Sequence, residues 1–198
     1  MNKSKEENFC QNCLASEKLH RTLEKVDGDL AEKTRQGGCL HCSGKLHRAN
    51  YKRKPRGKPK DDKEIYRDSF CCDKDGCRKR HTPPSVRFLG RRVYWGLVVV
   101  LLSAMQHGLT PDRVRALRES LGVDRLTLER WRQWWLETFP QSAFWKAARA
   151  RFSPPIDKGT LPWSLYGAFG MNRRDRLLKL LKFLSPITTG SIPLEQTL

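Results

Sequence analysis

Seven cysteines carry the chemistry of this chain, and five of them crowd into two short stretches. Gly37-Gly38-Cys39-Leu40-His41-Cys42 holds a Cys-x2-Cys pair, and Phe70-Cys71-Cys72-Asp73-Lys74-Asp75-Gly76-Cys77 holds a wider one roughly thirty residues later. A Cys-x2-Cys turn aims both thiolates at one point and leans backbone N–H groups toward the sulfurs. Zinc takes four such soft ligands in a tetrahedron, and its binding free energy can hold a module too small to have a core. In the second stretch the Cys72-x4-Cys77 spacing is loose, Cys71 competes with Cys72, and His81 is a further candidate ligand. Free cysteines of an ordinary core are a poor alternative, because Gly, Lys and Asp surround these residues. Cys10-x2-Cys13 is a lone pair. His20 can add a third ligand there, and Cys71 or a partner chain a fourth, while an exposed, loosely helical arm fits equally well.

The elements that must position the two main pairs read as a small β module over residues 37–92. Leu46 to Tyr51 alternates as a strand leaving the first pair, and Ile65 to Phe70 as a strand entering the second. Between them Lys45–Arg67 carries ten basic residues against three acidic ones, with Pro55, Gly57 and Pro59 where no regular element can continue. Strand, basic loop and strand, with a cysteine turn at each outer end, is the layout of a zinc ribbon. Lys52, Arg53, Lys54 and Arg56 on the loop, and Arg78, Arg80, Arg91 and Arg92 beyond the second pair, are candidate phosphate contacts. Pro83 and Pro84 force an extended exit.

From residue 93 the period changes to that of a helix. Three helices are predicted: Val93–Gln106, apolar on every side; Pro111–Leu121, capped by Thr110 with proline at its first position; and Arg125–Thr138, capped by Asp124. Gly122 can take positive φ and permits a tight turn, so the last two read as a helix-turn-helix. Val114, Leu117 and Leu121 form one apolar stripe, and Leu128, Trp131 and Trp135 another. Arg125, Glu129, Arg130 and Gln133 remain outward, with Arg132 toward the flank, and Arg and Gln suit guanine and adenine edges in a major groove. Trp134 does not fit the same face and is expected on the following helix or on a partner chain.

Residues 140–198 predict further helices and a tail: a short helix over Ser142–Phe152, a helical piece from Leu161, and an amphipathic basic helix over Arg173–Leu184 that docks on its own domain, contacts a partner or lies on a membrane. The tail starts at Ser185. Residues 1–36, with seven basic and seven acidic side chains, read as a charged, partly helical arm. The fold class is thus mainly α with a small β zinc ribbon.

Lysine and arginine outnumber aspartate and glutamate by 39 to 21, a net charge of +18, and a field of that size draws polyanions, nucleic acid first. The charged stretch MNKSKEENF predicts no export signal, so metal is favoured over disulfides and a cytoplasmic, nucleoid-associated location is expected. The apolar run from Val93 to Met105 is short of the ~20 residues that span a bilayer.

Cys39-x2-Cys42, the stretch Tyr66 to Cys72 continuing through Cys77-Arg78-Lys79-Arg80, and Gly122-Val123-Asp124 leading to Thr127-Leu128-Glu129-Arg130-Trp131 together resemble the DNA-binding regions of insertion-sequence transposases and their small regulatory proteins. The likeness is architectural and covers residues 37–139. It implies Cys39, Cys42, Cys72 and Cys77 as zinc ligands, and Arg125 and Arg130 at the DNA. Strand-transfer catalysis needs an acidic metal-binding triad, but after residue 139 only Asp157, Asp175 and Glu195 are acidic. The expectation is a non-catalytic accessory or regulatory protein that binds double-stranded DNA, with a homodimer as a further possibility. Alternatives are an adapter recruiting a transposase or recombinase, and RNA binding through the basic loop.

Overall fold

One antiparallel hairpin forms the small sheet, and its register is the same from end to end. The computed structural model describes residues 12–13, 16–53, 64–89, 94–95, 111–170 and 172–189. Strand β1 (Leu46–Arg48) pairs with β4 (Phe70–Cys72), and β2 (Tyr51–Arg53) with β3 (Ile65–Arg67). Leu46 faces Cys72 and Arg53 faces Ile65, so no residue is inserted between the two ladders. At the junction the Asn50 carboxamide replaces a ladder bond. Its Oδ1 accepts from the Ser69 N–H at 3.1 Å, and its Nδ2 donates to Asp68 at 3.2 Å. Strand β5 (Arg80–His81) adds to the free edge of β4, giving the order β1-β4-β5.

The predicted strand-loop-strand layout is present, with two differences. The first strand runs on to Arg53, so Lys52 and Arg53 belong to the sheet rather than to a projecting loop. The physical reason is that Pro55 is the first residue in this stretch unable to donate to a ladder. The third strand, β5, has no counterpart in the expected layout. Lys54 and Arg56 lie outside the described residues.

Helix α1 (Glu17–Gly37) is more than a charged arm. The Ser16 hydroxyl caps it by accepting from the Leu19 N–H at 3.3 Å, and Gly38, at φ +72°, ends it. Leu19, Leu23, Asp27 and Ala31, four residues apart, lie buried along one face. Leu19 and Leu23 enter the large core, whereas Ala31 packs with Cys39, Leu46, Phe70 and Cys72. Asp27 receives the Val86 N–H at 2.7 Å, the Ser85 hydroxyl at 2.6 Å and the Arg87 Nε–H at 2.8 Å. The helix is fixed because an apolar stripe alone can slide, while this carboxylate fits one position.

Residues expected to open the first apolar helix are instead extended. Strand β6 (Phe88–Leu89) pairs with β7 (Tyr94–Trp95), so a helix start at Val93 is displaced. Aromatic residues suit a pleated pair. The rest of that predicted helix, with Arg91, Arg92 and the Thr110 cap, lies outside the described residues.

Helices α2 (Pro111–Leu121) and α3 (Arg125–Gln133) occupy their predicted places, joined through Gly122 at φ +64°. The Asp124 carboxylate caps α3 by accepting from the Thr127 N–H at 2.7 Å. The α-helix ends before Thr138 because Pro140 has no N–H for the Leu136 carbonyl and its ring crowds that turn. Trp134–Thr138 widens into a π-helical turn, with the Phe139 N–H reaching back to the Trp134 carbonyl. This widening brings adjacent tryptophans to the same side. Trp134 meets Trp135 at 4.8 Å between ring centroids and Phe139 at 5.4 Å, and packs, partly buried, against the protein's own core.

The Ser142 hydroxyl caps α4 (Ala143–Ala148), and α5 (Trp163–Gly167) and α6 (Arg173–Leu184) complete the helical part. Leu177, Leu180, Leu181 and Leu184 of α6 are buried against Trp135, Phe139, Trp145 and Leu165. Ser185 to Thr188, expected as loose tail, forms a 3-10 turn whose Thr188 hydroxyl accepts from the Ser85 N–H at 2.9 Å.

Candidate metal centre

Four sulfurs meet where the two cysteine turns close the hairpin. One ligand atom each from Cys39, Cys42, Cys72 and Cys77 lies within 4.8 Å of the others. Cys42 Sγ is 3.4 Å from Cys72 Sγ, and Cys39 Sγ is 3.7 Å from Cys77 Sγ. A tetrahedral ion with metal–sulfur bonds of about 2.3 Å has sulfur–sulfur edges of about 3.8 Å, so these two edges lie close to what such an ion requires.

Local backbone chemistry builds each half. In the first turn the Cys39 N–H donates to the Gly44 carbonyl at 2.9 Å and the Ser43 N–H to the Cys39 carbonyl at 2.8 Å, with Ser43 at φ +56°. Gly44 must be glycine on steric grounds. A Cβ there would stand 2.9 Å from Cys72 Sγ and 3.3 Å from Cys42 Sγ. In the second, Gly76 at φ +80° bends the wide x4 loop until Cys77 returns to the cage, and Arg78 at φ +43° turns the chain onward after it. The Cys77 N–H donates to the Lys74 carbonyl at 3.1 Å.

Pleat alternation decides between the adjacent cysteines. Cys72 is buried in the cage, while Cys71 points to the other face with its thiol 3.3 Å from the Arg78 carbonyl. His81 stands behind the ligands rather than among them. It is buried, with Nε2 3.2 Å from Cys39 Sγ, placed to donate to a thiolate. Cys13 lies in the large apolar core, and Cys10 is outside the described residues.

The thiols do not ionise alike. Burial opposes ionisation of Cys39, but the His41 backbone N–H and the His81 ring draw it down to about 5. Burial pushes Cys72 up to about 12. For Cys77 the Lys79 backbone N–H pulls downward, yet the Cys42 sulfur and burial raise the thiol on balance. One thiolate thus suppresses the next, and a cation is what allows all four to be charged together. Because four protein sulfurs close the coordination sphere, the arrangement suits a structural ion.

The other candidate residues divide. On α3, Arg125, Glu129, Arg130, Arg132 and Gln133 are exposed, opposite buried Leu128, Trp131 and Trp135. Arg125 is held by Glu129 at 2.8 Å, and Gln133 donates to Glu137 at 2.9 Å. Leu126 lies on the same polar face with 62% of its surface exposed, a position that the sequence reading passed over. Lys52 pairs with Glu64 at 2.5 Å, and Arg78 with Asp75 at 2.6 Å. Arg80 donates to the Ala49 carbonyl and the Ser69 hydroxyl, each at 3.2 Å, and its guanidinium and that of Arg53 flank the Tyr51 ring.

Geometry therefore defines a partly helical protein with a small antiparallel sheet and a four-cysteine cluster able to hold a metal ion. Comparison with protein-family models, curated proteins and solved structures finds no match to the chain. No helix among the described residues is long and apolar enough to cross a membrane.

Proposed function

We propose that the cysteine cluster binds one structural zinc ion and that the chain is a duplex-DNA-binding protein, its hairpin acting as a zinc ribbon and α2–α3 as a helix-turn-helix. The observation carrying this is the polar face of α3. A short turn through Gly122 presents it, the core holds its opposite side, and Arg130 stands exposed where a guanine edge can be met. The net charge of +18 supplies the attraction to phosphate.

The test is selection of a preferred duplex followed by binding as a function of salt. Affinity falls steeply with salt, and Arg130→Ala removes about 1–3 kcal/mol of preference at one base pair while sparing non-specific affinity. Unchanged selectivity in Arg130→Ala rejects the recognition-helix assignment. Zinc measured per chain gives one equivalent, lost with Cys39→Ser and retained with Cys10→Ser.

The resemblance to insertion-sequence proteins extends the reading to an accessory or regulatory role in a mobile element. A neighbouring transposase gene supports that role. An adapter reading gains nothing from Trp134 or α6, since both pack into the chain's own core.

A further inference from the structure

We propose that Phe152, Phe169 and Phe183 form a binding site for single-stranded nucleic acid, separate from the polar face of α3. The three rings come from different segments and close a triangle. Phe152 meets Phe169 at 5.7 Å and Phe183 at 5.4 Å, and Phe169 meets Phe183 at 5.6 Å. All three are half-buried at the edge of the large core, and Phe183 also meets buried Phe144 at 5.0 Å. Buried Trp145 supports them from below, 6.0 Å from Phe152 and tilted by only 25°.

Cations neighbour this platform along the chain. Arg149 and Arg151 occupy the turn that leads into Phe152, and Lys179 and Lys182 precede Phe183 by one helical turn and by one residue. All four are exposed. The Lys179 ammonium reaches back to the residue after Phe169, standing 3.7 Å from the place a Cβ on Gly170 would occupy. Asp157 and Asp175 are the acidic residues between positions 140 and 189, and the Asp157 carboxylate already accepts from the Gly159 N–H and the Thr160 hydroxyl, both at 2.9 Å.

Cations alone would draw any polyanion. Half-buried aromatic rings beside them favour a polyanion that also offers flat apolar surfaces, and unpaired nucleotides supply both. A duplex hides its base faces in its own stack. The site does not depend on the duplex-binding proposal, so either can fail alone.

The experiment uses the full chain and fluorescence anisotropy with labelled oligothymidylate of about 16 nucleotides, enough to cover one such surface. Parallel probes are oligouridylate, an abasic strand of equal length, and a closed hairpin duplex, with polyglutamate as competitor. Oligothymidylate should bind about tenfold more tightly than the abasic strand, the difference being stacking. Lys179→Ser with Lys182→Ser should lower the salt slope by about 1.4, or about 0.7 for each phosphate no longer neutralised. Phe169→Leu should weaken oligothymidylate but not the abasic strand. Comparable binding of thymidylate and uridylate supports a site that ignores the 2′-hydroxyl, and a preference names the strand it takes. Equal binding of base-bearing and abasic strands, or displacement by polyglutamate as readily as by thymidylate, overturns the proposal. Should Phe169→Leu fail to fold, the lysine pair and the abasic comparison still decide.

Discussion

Replacing Gly44 with alanine should weaken metal binding by about 10- to 100-fold, or about 1.4–2.8 kcal/mol. The added Cβ would stand 2.9 Å from Cys72 Sγ and 3.3 Å from both Cys42 Sγ and Asp73 Oδ1. Non-bonded atoms of this size settle at about 3.5–4.0 Å, so a sulfur must retreat by roughly 0.6 Å or more. Metal–ligand distances tolerate only about 0.2 Å. Moving Gly44 instead would strain the bond its carbonyl accepts from the Cys39 N–H at 2.9 Å, which holds the first turn closed. Gly76→Ala is the control. That glycine sits at φ +80° with open space around it, so alanine there costs about 1–2 kcal/mol of backbone strain without touching the cage. Cobalt titration reads both variants, since tetrahedral thiolate ligation colours the ion. Lower affinity with an altered spectrum is expected for Gly44→Ala, against an unaltered spectrum for Gly76→Ala. A Gly44→Ala protein with the parent's affinity and spectrum would refute the placement of the two sulfurs against this backbone.

Other outcomes follow from the same geometry. With Cys39 drawn down to about 5, its proton is already lost at neutral pH, whereas Cys72, pushed up to about 12, and Cys77, also raised, still hold theirs. Metal must expel at least these two, so apparent affinity should rise by at least about two log units per pH unit near neutrality, and a flat profile in a chelator competition sinks this reading. Cys71→Ser should keep one metal per chain and Cys72→Ser should lose it, as measured by metal analysis after gel filtration. Asp27→Ala removes the nearest partner of the buried Arg87 guanidinium, leaving Glu24 at 3.5 Å and Asp68 at 3.8 Å, and should cost about 1.5–3 kcal/mol in urea unfolding of the metal-loaded protein. Asp27→Ala combined with Arg87→Met should recover part of that loss.

Much of the site was legible because its parts are local. Cysteine turns are short-range objects, and spacing pointed to two converging pairs while leaving Cys71, Cys72 and His81 open; Cys39, Cys42, Cys72 and Cys77 are the four that lie together. The choice of Cys72 over Cys71 was not visible until β4 fixed which of two neighbours faces inward. Strand β5 is two residues long and exists because β4 offers a free edge, a tertiary fact with no periodic trace. Tyr94–Trp95 opens an apolar run that pattern alone cannot divide between strand and helix. Asp27 did leave a signal: it is the one acid in a stripe of Leu19, Leu23 and Ala31 at steps of four. Its partners lie some sixty residues onward in Ser85 to Arg87, beyond the reach of a helical pattern.

Helix α1 joins the metal site to the aromatic core. Leu19 and Leu23 belong to the core around Trp135 and Leu181, and Ala31 to the cluster around Cys39 and Cys72. The twelve helical steps from Leu19 to Ala31 span about 18 Å of one rigid rod. The Asp27 carboxylate, between those two ends, ties the rod to the chain leaving the hairpin. A metal module standing alone is folded only while loaded. This hairpin has a second anchor, because shifting Ala31 tilts a helix whose other end is embedded among tryptophans. Metal loss should therefore loosen the cysteine turns and leave the helical core standing. An ion bound at these cysteines would determine where the charged surface of the hairpin sits more than whether the polypeptide folds.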